Sequence, residues 1–296
     1  GNPKAGYYPP CPNHVKQREM NMPEGPEIRR AADQIATVLE GQIVTQIHFG
    51  LKQLKSFERK LQGSTIIRIK TRGKAMLTRF DNGLSLYSHN QLYGRWEVLQ
   101  PGEISDSTRQ LRIRIDTALG AALLYSASAI EVLTDTEVTT HPFLSKLGPD
   151  LFDPELSRET IQQRLLSPKF RNRQLGGFLT DQSFVAGLGN YLRCEILFLT
   201  RLPLSAKPTH CSEQQIEQLA EQILQLPRQS YRTGGITYIP EQAETLIEQG
   251  QTKEASRFWV FRRGGLPCRA CGTAIEKRSG SGQPCYLCPS CQKTAI

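Results

Sequence analysis

Apolar residues first recur at helical spacing just inside the chain: Ile28, Ala31, Ala32, Ile35, Val38 and Leu39 fall on one face, and Gly41 closes the pattern. The spacing predicts a helix with Pro26 in its first turn, where a missing N–H costs nothing. Beyond it the period shortens to two. Alternating runs over residues 43–49, 65–70, 75–80, 84–87 and 111–115, broken by Gly and Asn turns, predict half-buried strands. Eight or so such strands suggest a β-sandwich. Past Leu147-Gly148-Pro149-Asp150 helical spacing returns, over residues 155–166, 171–181, 188–199 and 212–226, the last with Ser212 as N-cap. A looser Gly-, Gln- and Thr-bearing stretch, 233–252, links these helices to a cysteine-rich end, and no internal repeat is visible.

These shifts describe an α+β multidomain chain: a β-sandwich with an N-terminal helix over residues 23–150, a helical domain with its linker over 151–250, and a terminal module over 251–296. Residues 1–22 carry Pro, Tyr and Lys without periodicity and begin with Gly, so they are expected to be a disordered extension, an upstream read-through or an appended segment.

Charge narrows the choice of partner. The 296 residues hold 37 Lys+Arg against 28 Asp+Glu, a net charge of +9, and the pI is near 9.2. Both favour a polyanion without naming nucleic acid. The surplus concentrates at the end of the chain, where Lys253, Arg257, Arg262, Arg263, Arg269, Lys277, Arg278 and Lys293 face only Glu254 and Glu276. No apolar run is long enough to cross a bilayer and no signal-peptide pattern opens the chain, so a soluble intracellular protein is expected.

Four of the eight cysteines form Cys268-x2-Cys271-x16-Cys288-x2-Cys291, a spacing that lets four thiolates converge on one tetrahedral Zn²⁺. A four-ligand site is closed, so the metal would hold shape rather than do chemistry; free or redox-active thiols are the alternative. Cys11, Cys194, Cys211 and Cys285 lie outside the pattern, and Cys194, beside an apolar stretch, reads as core packing.

Met22-Pro23-Glu24-Gly25-Pro26-Glu27 reads as a start site lying within the sequence. Removing the initiator would expose Pro23 as a secondary amine, a nucleophile able to form an iminium with a sugar aldehyde. Its plain alternative is a helix start, and both can hold together. Gly187-Leu188-Gly189-Asn190-Tyr191-Leu192-Arg193 reads as a helix-turn-helix-like hairpin bringing backbone amides, Asn190 and Arg193 to a phosphate backbone, flanked by Lys169, Arg171 and Arg173. An ordinary helical hairpin fits it equally well. Gln91-Leu92-Tyr93 ahead of Gly94 offers a polar group, an apolar wedge and an aromatic plate suited to the gap left by an extruded base, although a plain β-turn has the same composition. Thr71-Arg72-Gly73-Lys74 places a cation at the start of a strand, by itself no sign of catalysis. His48, His89 and His141 stand singly and read as structural; no P-loop, HExxH or GxSxG is present.

In this order the motifs resemble the formamidopyrimidine-DNA glycosylase and endonuclease VIII family of bifunctional DNA repair enzymes, over nearly all of residues 23–292. Pro-Glu-Gly-Pro-Glu-Ile-Arg-Arg at 23–30 and the contiguous Gln91-Leu92-Tyr93 look like the bacterial endonuclease VIII branch, which acts on oxidised pyrimidines. The resemblance implies that Pro23 attacks C1′ of the damaged nucleotide, that Glu24 donates a proton for sugar-ring opening with Glu27 close by, and that Lys74 contacts phosphate and assists elimination. Gln91, Leu92 and Tyr93 would fill the duplex, and Asn190 of a helix-two-turn-helix element and Lys146, where relatives often carry arginine, would hold the backbone. It also implies one structural Zn²⁺ in a C-terminal zinc finger, damaged double-stranded DNA in a cleft between domains, a monomer, and a bacterial cytoplasmic, nucleoid-associated setting.

Two departures bear on activity. With residues 1–22 attached, Pro23 is an internal amide, and the alternative reading is a catalytically blocked damaged-DNA-binding protein. Where relatives place an arginine shortly before the third finger cysteine, this chain has Gln283-Pro284, which implies weakened δ-elimination and lesion affinity, with Arg278 as a substitute nearby.

Overall fold

A computed structural model describes residues 23–279 and 282–293; the N-terminal extension expected over 1–22, and Cys11 with it, lies outside the described residues. Helix α1 (Gly25–Leu39) carries Pro26 in its first turn and buries Ile28, Ala32, Ile35, Val38 and Leu39, the face its spacing predicts. Gly41, at φ +77, turns the chain into the first strand.

Eight strands follow: β1 (Gln46–Phe49), β2 (Ile66–Arg72), β3 (Ala75–Phe80), β4 (Leu84–His89), β5 (Arg95–Leu99), β6 (Leu111–Thr117), β7 (Gly120–Tyr125) and β8 (Ala129–Thr134). They pair antiparallel in two four-stranded sheets, ordered β1-β6-β7-β5 and β2-β3-β4-β8. Period-two alternation decides what each sheet turns inward. Ile47, Phe49, Ile113, Ile115 and Leu124 from one sheet meet Ile66, Met76, Phe80, Leu86 and Ile130 from the other, and α1 adds its buried face to the same core. Strand β7 is buried along its whole length and shows no alternation. Leu124 faces the shared core while Leu123 and Tyr125 join a smaller cluster with Leu99. His141 packs on Tyr87 and His89 on Phe143.

The helical part comprises α2 (Arg158–Leu165), α3 (Asn190–Leu199), α4 (Glu213–Arg232) and α5 (Pro240–Glu248). Ser157 caps α2, and Ser212 caps α4 by accepting the Gln215 N–H at 3.2 Å. Helix α4 runs through Pro227 and ends a turn and a half beyond its expected limit. Two expectations are corrected. Of the helix expected over 171–181 only one turn, Leu175–Phe178, forms. The Leu175 and Gly176 N–H groups donate to Ala206 O at 2.8 Å and Leu204 O at 2.9 Å, so another segment takes the amides a helix would use. A Cβ on Gly176 would stand 2.9 Å from that same Leu204. Within the supposed linker 233–252, Pro240 opens α5, which buries Ala243.

A single buried cluster extends from Leu151 and Phe170 through Tyr191 and Phe258 to Tyr286 and Cys288. Glu195 of α3 helps to bind it together, its buried carboxylate accepting the Trp259, Val260 and Phe261 N–H groups at 2.8–2.9 Å. Strands β9 (Glu276–Arg278) and β10 (Cys285–Leu287) form a small antiparallel pair at the end of the chain. Among the described residues no helix is long and apolar enough to cross a membrane.

Candidate active site

Glu24 precedes α1 and is 2% exposed. Its N–H donates to the Glu27 carboxylate at 3.1 Å. Its own carboxylate reaches the start of α3, accepting the Tyr191 N–H at 2.8 Å and the Leu192 N–H at 3.3 Å. These are free donors of a helix N-terminus, where the macrodipole favours negative charge. Gly189 makes the approach possible, because a Cβ there would lie 2.3 Å from the Glu24 carboxyl carbon. Gly187, at φ +108, accepts the Gly25 N–H at 2.8 Å. The backbone amides that the motif was expected to offer a phosphate are thus directed at a protein carboxylate.

Burial pushes the Glu24 carboxyl up to about 7, against the pull of Lys74 and with help from Glu27. Desolvation also lowers Lys74 from its ordinary value; Glu24 and Glu27 oppose that fall and the Arg193 charge adds to it. Lys74 follows the β2–β3 turn, whose Gly73, at φ +62, donates its N–H to Asp150. A Cβ on Gly73 would meet Ala186 at 3.0 Å and the Gly187 nitrogen at 3.3 Å. One loop, 186–189, therefore seats both the Glu24 corner and the Lys74 turn.

Pro23 lines a cavity of about 270 Å³ with Glu27, Asn90, Gly94, Tyr191 and Arg257. Asn90 and Gly94 bracket the Gln91-Leu92-Tyr93 turn, closed by Gly94 N–H to Asn90 O at 2.8 Å. Gln91 takes a left-handed φ of 51° and accepts the Ser128 hydroxyl at 2.6 Å. Arg109 donates to Tyr93 O at 3.0 Å. The tightened turn leaves Leu92 41% and Tyr93 55% exposed, two large apolar groups in water beside the Pro23 cavity.

Other expected contacts are placed differently from one another. Lys146 is exposed on the wall of a wider cavity of about 860 Å³, shared with Lys169, Gln182 and Ser183. Asn190 is buried, and its Nδ2 donates to Pro284 O at 2.9 Å. Gln283 is exposed, while Arg278 pairs with Glu276 at 2.9 Å.

The Cys268, Cys271, Cys288 and Cys291 sulfurs lie within 4.8 Å of one another. Cys268 Sγ to Cys291 Sγ is 3.9 Å and Cys271 Sγ to Cys288 Sγ is 3.5 Å, far beyond the disulfide length of about 2.05 Å. They are close to the edge of about 3.8 Å of a thiolate tetrahedron around zinc. The Ala270 and Cys291 N–H groups donate to Cys268 and Cys288 sulfurs at 3.4 Å each. The donor set fits a closed four-thiolate metal site.

Asp150, Tyr191 and Asn90 were not singled out from the sequence. Asp150 holds Gly73, and the Tyr191 hydroxyl donates to Glu27 at 3.2 Å and bonds Ser230 at 2.9 Å. Each adjoins or lies within a quoted motif, and that adjacency was the available signal.

A family model described as the formamidopyrimidine-DNA glycosylase N-terminal domain matches residues 22–128. Endonuclease 8 of Salmonella arizonae is 51% identical over 272 residues, covering 92% of this chain and 100% of the relative. Endonuclease 8 of an Escherichia coli O17:K52:H18 strain is 49% identical over 271 residues, with the same coverage. Among solved structures, Lactococcus lactis Fpg in complex with DNA containing an abasic site superposes with a TM-score of 0.73 at 20% identity, covering 92% of this chain and 100% of that one.

Proposed function

The chain belongs to the formamidopyrimidine-DNA glycosylase/endonuclease VIII family and is a DNA glycosylase of DNA repair, and from that premise we propose that it excises oxidised pyrimidines and cleaves the resulting abasic site through Pro23. The observation that carries the proposal is the pairing of Pro23, on the wall of a cavity, with a neighbouring Glu24 pushed up to about 7. A carboxyl that is half protonated near neutral pH is fitted to general acid work.

The Pro23 nitrogen, once freed of Met22, attacks C1′ and the damaged base departs. Glu24 protonates the ring oxygen, opening the sugar to an iminium on Pro23. Loss of a C2′ proton to solvent, with that cation as the electron sink, expels the 3′-phosphate that Lys74 holds and leaves a C2′–C3′ double bond. Leu92 and Tyr93 fill the duplex beside Gln91, while Lys146, Asn190 and Gln283 hold the backbone. For Asn190 this means exchanging Pro284 O for a phosphate oxygen. Gln283 brings no charge, so δ-elimination follows weakly. Cys268, Cys271, Cys288 and Cys291 hold one zinc, which supplies shape alone. The enzyme acts as a monomer on damaged duplex DNA, in the bacterial cytoplasm at the nucleoid.

Borohydride trapping tests this. Chains beginning at Gly1 and at Pro23 are each mixed with an oxidised-pyrimidine duplex and reductant. A covalent adduct with free Pro23 alone is the expected result. No adduct from either, with DNA still bound, would replace the enzyme by a catalytically blocked lesion binder. In both cases log affinity falls with log salt at about −0.9 per phosphate contacted.

A further inference from the structure

Arg193 lies one turn into α3 and is 7% exposed, yet its guanidinium joins three segments. Nη1 donates to Gly176 O at 2.7 Å, in the helical turn Leu175–Phe178. Nη2 donates to the Asn190 side-chain oxygen and to Gln283 O at 3.3 Å, in the loop before β10. Asn190 doubles the tie through Pro284 O, and the Tyr286 N–H follows with a bond to Cys194 Sγ at 3.4 Å. Among the described residues the Arg193 Nε–H is buried without a partner.

Helix α3 therefore holds Glu24 with its first amides and the finger loop with side chains of the same turn. A buried cation with an unsatisfied donor is a weak source of stability, and apolar groups of the same volume often do as well. Its geometry, in contrast, is directional. Arg193 Nη2 and Asn190 Nδ2 tie the loop at Gln283–Pro284 to the first turn of α3, whose amides hold Glu24.

We propose that Arg193 is a positioning residue for the reaction: it keeps the finger loop in register with Glu24. The inference rests on the catalytic reading above. Lys74 faces Glu24 and Glu27, which favour its ammonium, Arg193, which disfavours it, and His89, whose imidazole is lowered by burial and by Lys74 itself. Removing the Arg193 charge leaves the two carboxylates less opposed, so Lys74 keeps its proton to higher pH. A purely structural residue would not move that titration.

Two variants of the chain beginning at Pro23 separate the tie from the charge. Arg193→Lys keeps the charge and loses the two-armed bridge; Arg193→Met loses both. Both should bind a lesion duplex about tenfold more weakly, the effect of losing a charged hydrogen bond, and both should exchange the Tyr286 amide faster. The pH midpoint of Lys74 acylation, read by peptide mass, should rise in Arg193→Met and stay in place in Arg193→Lys. Unchanged binding and an unchanged Tyr286 exchange rate in both variants would overturn the positioning role, and an unchanged midpoint in Arg193→Met would show that the Arg193 charge does not reach Lys74. Thermal melting and zinc content identify a variant that fails to fold, in which case Arg193→Lys carries the binding test. Failure of the catalytic reading shows elsewhere, as absence of the trapped adduct in the unsubstituted chain.

Discussion

The four-cysteine finger and the Pro23–Glu24 corner are both sites, and they are built in opposite ways. The finger draws all its ligands from two short turns, Cys268–Cys271 and Cys288–Cys291, whose sulfurs lie within 4.8 Å of one another. The corner needs residue 24 just ahead of α1, 74 after a strand turn, 90 after β4, 189–192 at the start of α3 and 257 beyond α5. A site of the first kind is carried by local turn geometry. One of the second kind exists only while two hydrophobic cores hold their positions.

The sharpest break in this comparison is Cys288→Ser. Structural zinc contributes of the order of 10 kcal/mol to folding a small module, so the variant should lose zinc, measured by metal analysis, and the β9–β10 pairing. The core around α1 should persist, with its strand signal in circular dichroism unchanged. Equal loss of both regions would show that the finger is not a locally built unit.

Gly189→Ala tests the other half of the comparison. Its methyl group would collide with the Glu24 carboxyl carbon, and overpacking of this sort costs about 1–3 kcal/mol. We expect excision to fall roughly 100-fold because Glu24 leaves its amides, with zinc content unchanged. Near-normal single-turnover excision would mean that the seat at α3 does not position the acid.

Glu24→Gln sharpens the chemistry within the corner. Folding raises the Glu24 carboxyl from its ordinary 4.5 to about 7, so between those values the folded chain holds more protons than the unfolded one. Its stability therefore declines as pH rises through that interval. On the proposed reading, in which Glu24 donates a proton, its loaded fraction is half at about pH 7 and falls about tenfold per unit well above it. The variant should excise slowly, lack that alkaline limb, and flatten the fall of melting temperature with pH. A limb that survives the substitution belongs to another group.

The smallest effect falls on the finger loop. Gln283→Arg should tighten lesion binding a few-fold, increase δ-elimination products, and steepen the salt slope by about one phosphate contact. Identical gels and slopes for the two chains would remove the argument from charge at that position.

Legibility followed the range of the interactions. Ile28 to Leu39 gave their buried face away because a helix repeats every 3.6 residues, and β3 did so through period two. Strand β7 did not, since Gly120-Ala-Ala-Leu-Leu-Tyr125 is covered on both sides and has no polar face to alternate. The helix expected at 171–181 failed for a remote reason, the capture of Leu175 and Gly176 amides by carbonyls of residues 206 and 204. Residues 187–193 were recognised as a motif, but the seat that its amides make for Glu24 was not visible. Nothing in Gly-Leu-Gly-Asn states that its first visitor is a carboxylate from 165 residues earlier in the chain.

By itself the sequence determined the elements whose period is local, the four-cysteine set of the finger and the positive balance of the chain, and it singled out Pro23 as the proposed nucleophile. Each of these depends on covalent neighbours or on composition. Only the tertiary structure decided that Glu24 is desolvated, that one loop seats both Glu24 and Lys74, and that Asn190 and Arg193 face the finger. Those properties depend on what lies within a few ångströms in space, where desolvation and hydrogen-bond geometry act, and sequence separation does not set that distance.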